Sequence, residues 1–460
     1  MSVLIKNGII VSDEDIITGD IYIEDGIIKE IGNKIDKAAD EVIDAEGKLV
    51  IPGGVDAHTH LNIHIGDTVV KDDFYTGTVA AAFGGTTCIV DHMGFGPEDC
   101  NLHHQLEVYH KYAKNNAVID YSFHGVIQHI DDGILKEMDD MVQKEGISSF
   151  KFYLTYDYKL SDEEALKAMI KLNQLGAVTT VHCENHGVIN YLRNLFVSQG
   201  KKEPIYHALS RPEESEAEAV NRMITLAAVA GNAPLYIVHV SCGKSMYHIA
   251  KAQREGQKVY AETCPQYLFL DEEKYKEENN EGLKYIMSPP LRKKYNGKML
   301  WNHIKNKDIQ VVATDHCPFD FYGDKQRGKE DFTKCPNGAP GIEARIPLMF
   351  SEGVMKGRID IKTFVDIVST KPAKIFGLYP KKGAIRVGSD ADIVIIDKEK
   401  EVTISKNMLH ENVDYTPYEG VKIKGYPVLT MVRGKVVTRD NVFVGEKGYG
   451  SFVKRRNSTL

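Results

Sequence analysis

An α/β fold, a (β/α)8 TIM-type barrel carrying a small β-sandwich domain made from the N- and C-terminal segments, is what this 460-residue sequence predicts. Three observations predict it. Short β-branched runs alternate with helical segments through the middle of the chain. Both termini read instead as strands broken by Gly and Asp. Residues able to bind metal or move protons stand at the same end of several of the middle runs.

Residues 1–51 supply the first half of the small domain, with strands over 3–11, 21–23 and 27–31, the last two joined by Asp25-Gly26, a dipeptide that favours a tight hairpin. Residues 52–378 form the barrel, with strands expected at 55–58, 86–90, 118–123, 148–153, 177–182, 235–239, 259–262 and 310–315. That makes eight, the number that closes such a barrel. An open sheet would also alternate, but no GxGxxG follows any of these strands, which weakens a dinucleotide-binding reading. Residues 379–445 return to strands at 392–396, 402–404 and 428–437, punctuated by Pro380, Gly383 and Gly388. A tail, 446–460, carries Lys454-Arg455-Arg456, read as a solvated basic end.

The charge balance, 57 Lys and Arg against 65 Asp and Glu for a net charge of -8, argues against nucleic acid as a partner and leaves a small-molecule ligand. Apolar runs fall short of the roughly 20 residues a membrane helix needs, and Met1 opens onto a strand-like pattern, so no membrane partner and a cytoplasmic location are expected. The 7 cysteines are scattered without a CxxC pair, as for reduced thiols. Cys183 and Cys317, although beside candidate ligands, read as small buried residues.

His58 and His60 end an apolar run after Pro52-Gly53, and side chains two apart share one face of a strand, so two ring nitrogens reach one ion. Such a pair on a loop is commonplace, but here it is not isolated. His182, His239 and Asp315 occupy the corresponding ends of other strands, and in a barrel those ends converge on one rim. Lys151 lies inside the apolar strand Ser149-Phe150-Lys151-Phe152-Tyr153, where a free ammonium is costly to desolvate. Either its stem packs while its head reaches water, or burial and nearby cations lower its pKa and it takes up carbon dioxide as a carbamate. An anionic, bidentate carbamate would bridge two ions.

Six segments resemble the signatures of the cyclic amidohydrolases: Ser149-Phe150-Lys151-Phe152-Tyr153-Leu154-Thr155-Tyr156, Val181-His182-Cys183-Glu184-Asn185, Ile237-Val238-His239-Val240-Ser241, Met287-Ser288-Pro289-Pro290-Leu291-Arg292, Ala313-Thr314-Asp315-His316-Cys317 and Pro336-Asn337-Gly338. Asp91-His92-Met93-Gly94-Phe95-Gly96-Pro97 and Ser122-Phe123-His124-Gly125-Val126-Ile127-Gln128-His129 are similar to the hydantoinase and dihydropyrimidinase group. The resemblance runs essentially end to end.

It implies a binuclear centre in which His58, His60, N6-carboxylated Lys151 and Asp315 hold one divalent ion, and Lys151, His182 and His239 the other. Zinc suits these donors first, with manganese or cobalt as alternatives. It further implies that paired ions activate a water, that Asp315 is general acid and base, that Tyr156 polarises the attacked carbonyl, and that Ser288 and Asn337 hold the cyclic imide through main-chain atoms. The product is an N-carbamoyl amino acid. His316 is left as a packing neighbour. A homotetramer with the tail in subunit contacts is also implied.

Dihydroorotases in this family look for Arg two positions after the second His, and here that residue is Asn62, which favours an uncharged hydantoin or dihydropyrimidine. Phe95, Phe152, Tyr153 and Tyr158 are expected to form an apolar pocket for a group at the ring's fifth position. The competing activities are dihydropyrimidinase proper, then allantoinase or dihydroorotase. Non-enzymatic scaffold relatives lack several of the six ligand positions, all of which are present here.

Overall fold

A computed structural model describes residues 1–12 and 14–460. Its centre is a parallel eight-stranded sheet whose strands neighbour one another in chain order: Gly54–Thr59, Thr86–His92, Asp120–Val126, Ser149–Tyr153, Val178–His182, Leu235–Ile237, Val259–Thr263 and Val311–Val312. Nearly every residue of these strands is buried, because helices cover the outside and side chains fill the inside, so the strands read as continuous apolar runs with no polar alternation. The ring closes where the Asp315 N–H donates to the His58 carbonyl at 2.9 Å and Thr59 bridges His316.

The sixth and eighth strands are short for a local reason. Just beyond them His239 (φ 39°) and Asp315 (φ 55°) adopt left-handed backbone, which a ladder cannot continue. The helices start where the sequence signals starts. Before Asp162–Gln174, the Ser161 hydroxyl accepts from the Glu164 N–H at 3.3 Å, and the Glu164 carboxylate accepts from the Ser161 N–H at 2.8 Å, a reciprocal cap.

The two chain ends meet in a second sheet of nine strands. Its halves join where Leu49–Pro52 pairs antiparallel with Ile393–Thr403. The strands expected as a sandwich are linked by hydrogen bonds into one continuous sheet, and Val3, Ile5, Ile21, Ile23, Ile393, Ile395 and Met431 gather in a core separate from the barrel's. At the Asp25-Gly26 turn both residues are left-handed (φ 52° and 77°), and a Cβ on Gly26 would lie 2.8 Å from the Arg433 carbonyl, so only glycine fits.

Three expectations for the C-terminal part need correction. The runs 392–396 and 402–404 belong to a single strand, interrupted by a register shift between Asp397 and Glu401. The run 428–437 is two strands, because Arg433 (φ 44°) and Gly434 (φ 75°) reverse the chain between Lys422–Val432 and Lys435–Arg439. The basic tail is not wholly solvated. Arg455 is 4% exposed under the barrel, where its Nε donates to Ser122 Oγ at 2.9 Å and its other nitrogens donate to the carbonyls of Phe123 and Phe376. A mid-strand carbonyl, of Phe123, and one just after a helix, of Phe376, receive a guanidinium that composition alone assigns to solvent.

Among the described residues no helix is long and apolar enough to cross a membrane. All seven cysteines are free, and only Cys100 is more than slightly exposed.

Candidate metal centre

Strand alternation decides which side chains reach the site. Lys151 and Tyr153 turn into the barrel, while Phe150 and Phe152 pack in the main hydrophobic core. Phe152 therefore does not belong to the expected pocket. Phe95, Tyr153 and Tyr158 do assemble, with ring centroids 5.1 Å apart for Phe95–Tyr153 and 4.8 Å for Phe95–Tyr158.

At the upper rim, Asp315 Oδ1 lies 3.1 Å from His58 Nε2 and 3.1 Å from His60 Nε2. His58, His239 and Asp315 place one potential ligand atom each within 4.8 Å of one another. His182 Nδ1 is 2.9 Å from His239 Nε2, and its other nitrogen is 2.8 Å from Glu184 Oε2. Lys151 is held between Val126 and Thr180 in the sheet, with Nζ 5.2 Å above the Tyr153 ring. The six residues thus occupy one rim. His239 and Asp315 are the left-handed residues noted above, and Tyr156 is a third (φ 73°), the kind of strained backbone that collects at functional sites.

Burial and charge set the protonation of the group. Burial lowers Lys151 to about 8, against a partial counter-pull from Asp315 and Glu262. Burial also takes His60 down to about 4 and His239 well below the usual imidazole range. For His58 burial is outweighed by the carboxylates of Glu262 and Asp315, which raise it to about 9. Burial likewise opposes ionisation of Asp315, but His58 and His60 more than compensate and hold it well below the ordinary carboxylate range.

The proposed substrate-side residues sit on loops stitched to the same rim. Tyr156 packs its ring 5.2 Å from that of His182, and burial pushes its hydroxyl pKa upward. The Ser288 and Asn337 loops are tied together: Gly338 N–H donates to the Ile286 carbonyl at 3.0 Å, and buried Lys325 Nζ donates to the carbonyls of Ile286 and Pro336 at 2.7 and 2.9 Å. A Cβ on Gly338 would lie 2.2 Å from the Cys317 carbonyl, so glycine lets this loop close against the residues after Asp315. Asn62 faces elsewhere, its Oδ1 accepting from the Phe74 N–H at 2.9 Å.

These donors fit divalent metal. His60 Nδ1 and His239 Nδ1 are buried without a hydrogen-bond partner, an expense that an ion would remove. Glu262, unassigned in the sequence reading, orders the group: Oε1 accepts from His58 Nδ1 at 2.6 Å and from the His239 N–H at 2.9 Å, while Oε2 accepts from the Tyr236 hydroxyl at 2.8 Å. Carboxylates behind ligating imidazoles fix their tautomer and orientation. Glu184 does the same for His182, and is itself held near 2 because Arg211 and His182 outweigh its burial. A Glu closing an apolar barrel strand was the available signal for Glu262.

The amidohydrolase family profile matches residues 49–437. The chain is 52% identical over 457 residues to a D-phenylhydantoinase of Escherichia coli O1:K1 / APEC, covering 99% of this chain and 98% of that one. Its structure is similar to that of a dihydropyrimidinase from Brevibacillus agri NCHU1002 (46% identity, TM-score 0.98, covering 100% and 99% of the two chains). It is also similar to a D-hydantoinase from Bacillus sp. AR9 (46% identity, TM-score 0.97, covering 99% of each).

Proposed function

Because this chain belongs to the amidohydrolase family and is a cyclic amide hydrolase of the hydantoinase and dihydropyrimidinase type, we propose that it opens 5-substituted hydantoins to N-carbamoyl amino acids at a binuclear metal centre. His58, His60, Lys151 and Asp315 hold one ion, and Lys151, His182 and His239 the other, with Lys151 carried as its carbamate. Zinc is the first choice, with manganese or cobalt as alternatives. The observation that carries this reading is the buried meeting of His58 and His60 on Asp315, both at 3.1 Å, with unpartnered imidazole nitrogens beside it.

When bound, such ions supply Lewis acidity and lower the pKa of an attacking water. The remaining work falls to the chain. Asp315, kept anionic by His58 and His60, accepts the proton of the attacking water and returns it to the ring nitrogen that leaves. Tyr156, whose raised pKa keeps its hydroxyl protonated at neutral pH, donates to the carbonyl oxygen as negative charge develops. Main-chain atoms of Ser288 and Asn337 orient the imide.

Phe95, Tyr153 and Tyr158 form an aromatic group suited to an aryl or alkyl substituent. Uncharged rings are favoured over dihydroorotate, since no guanidinium stands where Asn62 does and Asn62 is engaged with Phe74.

The same reading divides the chain into residues 1–51 and 379–445 as one small domain, 52–378 as the barrel and 446–460 as a tail; one hydrophobic core drawn only from the two chain ends supports that division, while Val11, Ile51, Val394, Ile396, Val432 and Val437 pack into the barrel's core. It places the enzyme in the cytoplasm as a homotetramer.

The test is a panel of phenylhydantoin, hydantoin, dihydrouracil, allantoin and dihydroorotate, assayed with and without chelator. Chelator-sensitive opening of the 5-substituted hydantoin above the others is expected. Preference for dihydroorotate or allantoin overturns the substrate assignment.

A further inference from the structure

We propose that His92 is a reserve metal ligand: before Lys151 is carboxylated, a divalent ion is held by the three imidazoles of His58, His60 and His92. This rests on the metal-centre reading above and extends it to a residue without a role there.

His92 ends the second barrel strand and is 1% exposed, yet neither of its ring nitrogens has a hydrogen-bond partner. One nitrogen from each of His58, His60 and His92 lies within 4.8 Å of the other two. The ring centroid of His92 is 4.2 Å from that of His58 and 5.3 Å from that of His60.

The position needs an explanation that packing does not provide. Burying an unpaired donor or acceptor forfeits its hydrogen bonds to water, and a phenyl or isobutyl group would fill the same space without that loss. On its other face His92 stacks on His124 at 4.2 Å and 15°. His124 is fully satisfied, donating from Nε2 to the Ala57 carbonyl at 3.0 Å and accepting the Ser149 hydroxyl at Nδ1 at 2.6 Å. It is a fixed plate that orients His92 and offers it no hydrogen bond. What remains for the lone pair of His92 is the space shared with His58 and His60.

Three neutral imidazoles are a complete protein ligand set for one zinc-like ion. They suit the stage at which no carbamate is present to supply negative charge between two ions. Once Lys151 is carboxylated, the carbamate would supply the anionic donor that the three imidazoles lack, and His92 would no longer be needed as a ligand.

Lys151→Ala, which has no amine to carboxylate, is stripped with chelator and titrated with Cu2+ and Co2+. One ion per chain is expected, with three equivalent nitrogens in the copper resonance spectrum. Adding His92→Phe, which keeps the stacked ring, should weaken Co2+ binding at least about tenfold, the scale of losses around metal ligands. The comparison is repeated with chelator-stripped wild type and His92→Phe in CO2-depleted buffer, so that misfolding of Lys151→Ala does not decide the outcome. Two nitrogens, no bound ion, or equal Co2+ affinity with and without His92 overturns the proposal. Wild type that retains two ions while His92→Phe changes nothing refutes the reserve role alone, whereas wild type without stoichiometric metal refutes the metal-centre reading.

Discussion

At the lower end of the barrel Lys382 lies 2.5 Å from Asp120 and 2.9 Å from each of Asp390 and Asp392, and these carboxylates outweigh its burial and hold its ammonium well above the usual lysine range. Lys151, at the upper end, is equally buried, yet burial prevails there and its pKa falls to about 8. Beside Lys151, imidazole nitrogens stand unpartnered, while beneath the barrel Arg455 donates to two carbonyls and a hydroxyl. Both ends bury cationic groups in one core. Carboxylates answer the buried charge of Lys382, whereas the burial of Lys151 outweighs the pull of Asp315 and Glu262, and burial also lowers Arg455, to about 9. A buried lysine ringed by carboxylates is a structural ion group, and one whose desolvation is not offset, beside unpartnered imidazoles, is a candidate for chemistry.

The contrast can be broken by removing one lysine from each end. Lys151→Ala is expected to lower kcat by about 1,000-fold or more, since it removes charge from a closed site, and to reduce bound metal from two ions per chain to one. Elemental analysis and steady-state rates check both, and a fully active variant with two ions would remove the carbamate bridge. Lys382→Met should do the reverse, costing about 3–5 kcal/mol of stability, as loss of one partner from a buried ion group does, while the fraction that stays folded keeps its metal. Denaturant titration beside metal analysis reads this, and metal loss without destabilisation would erase the distinction between the two ends.

Two smaller perturbations sharpen the assignment within the upper end. Tyr156→Phe should retain metal and lose about 100- to 1,000-fold in kcat, the range for one donor to a developing oxyanion. Unchanged turnover would take the hydroxyl out of the mechanism. Glu262→Gln keeps the shape behind His58 but weakens its hold on Nδ1, and metal affinity should drop about 10- to 100-fold. Equilibrium dialysis measures it, and an unaltered affinity would make Glu262 a packing residue.

How much of this was legible in the sequence follows from the range of the interactions involved. Barrel strands announce themselves locally, through β-branched runs between helical segments, and all eight stand where those runs are. Five of the six candidate ligands sit at or just beyond strand ends, where a rule about strand ends finds them, and Lys151, in mid-strand, stands out instead as a charge inside an apolar run. His92 escaped the same rule because the second strand was read as ending at residue 90, while it runs to His92. Glu262 ended its strand in plain view, but its role depends on reaching His58, 204 residues away, which no local pattern encodes. Alternation places Phe152, next to inward-facing Lys151, on the outward face, where it packs in the core and cannot line the pocket. The basic tail reads as solvated because the carbonyls that receive Arg455 lie far from it in sequence.

Metal content of the purified chain, measured together with ring opening before and after chelation, tests the central claim most directly. Two divalent ions per chain, with hydantoin opening that disappears on chelation and returns on adding zinc, manganese or cobalt, is the predicted result. Ring opening by protein free of stoichiometric metal, indifferent to chelator, would contradict it.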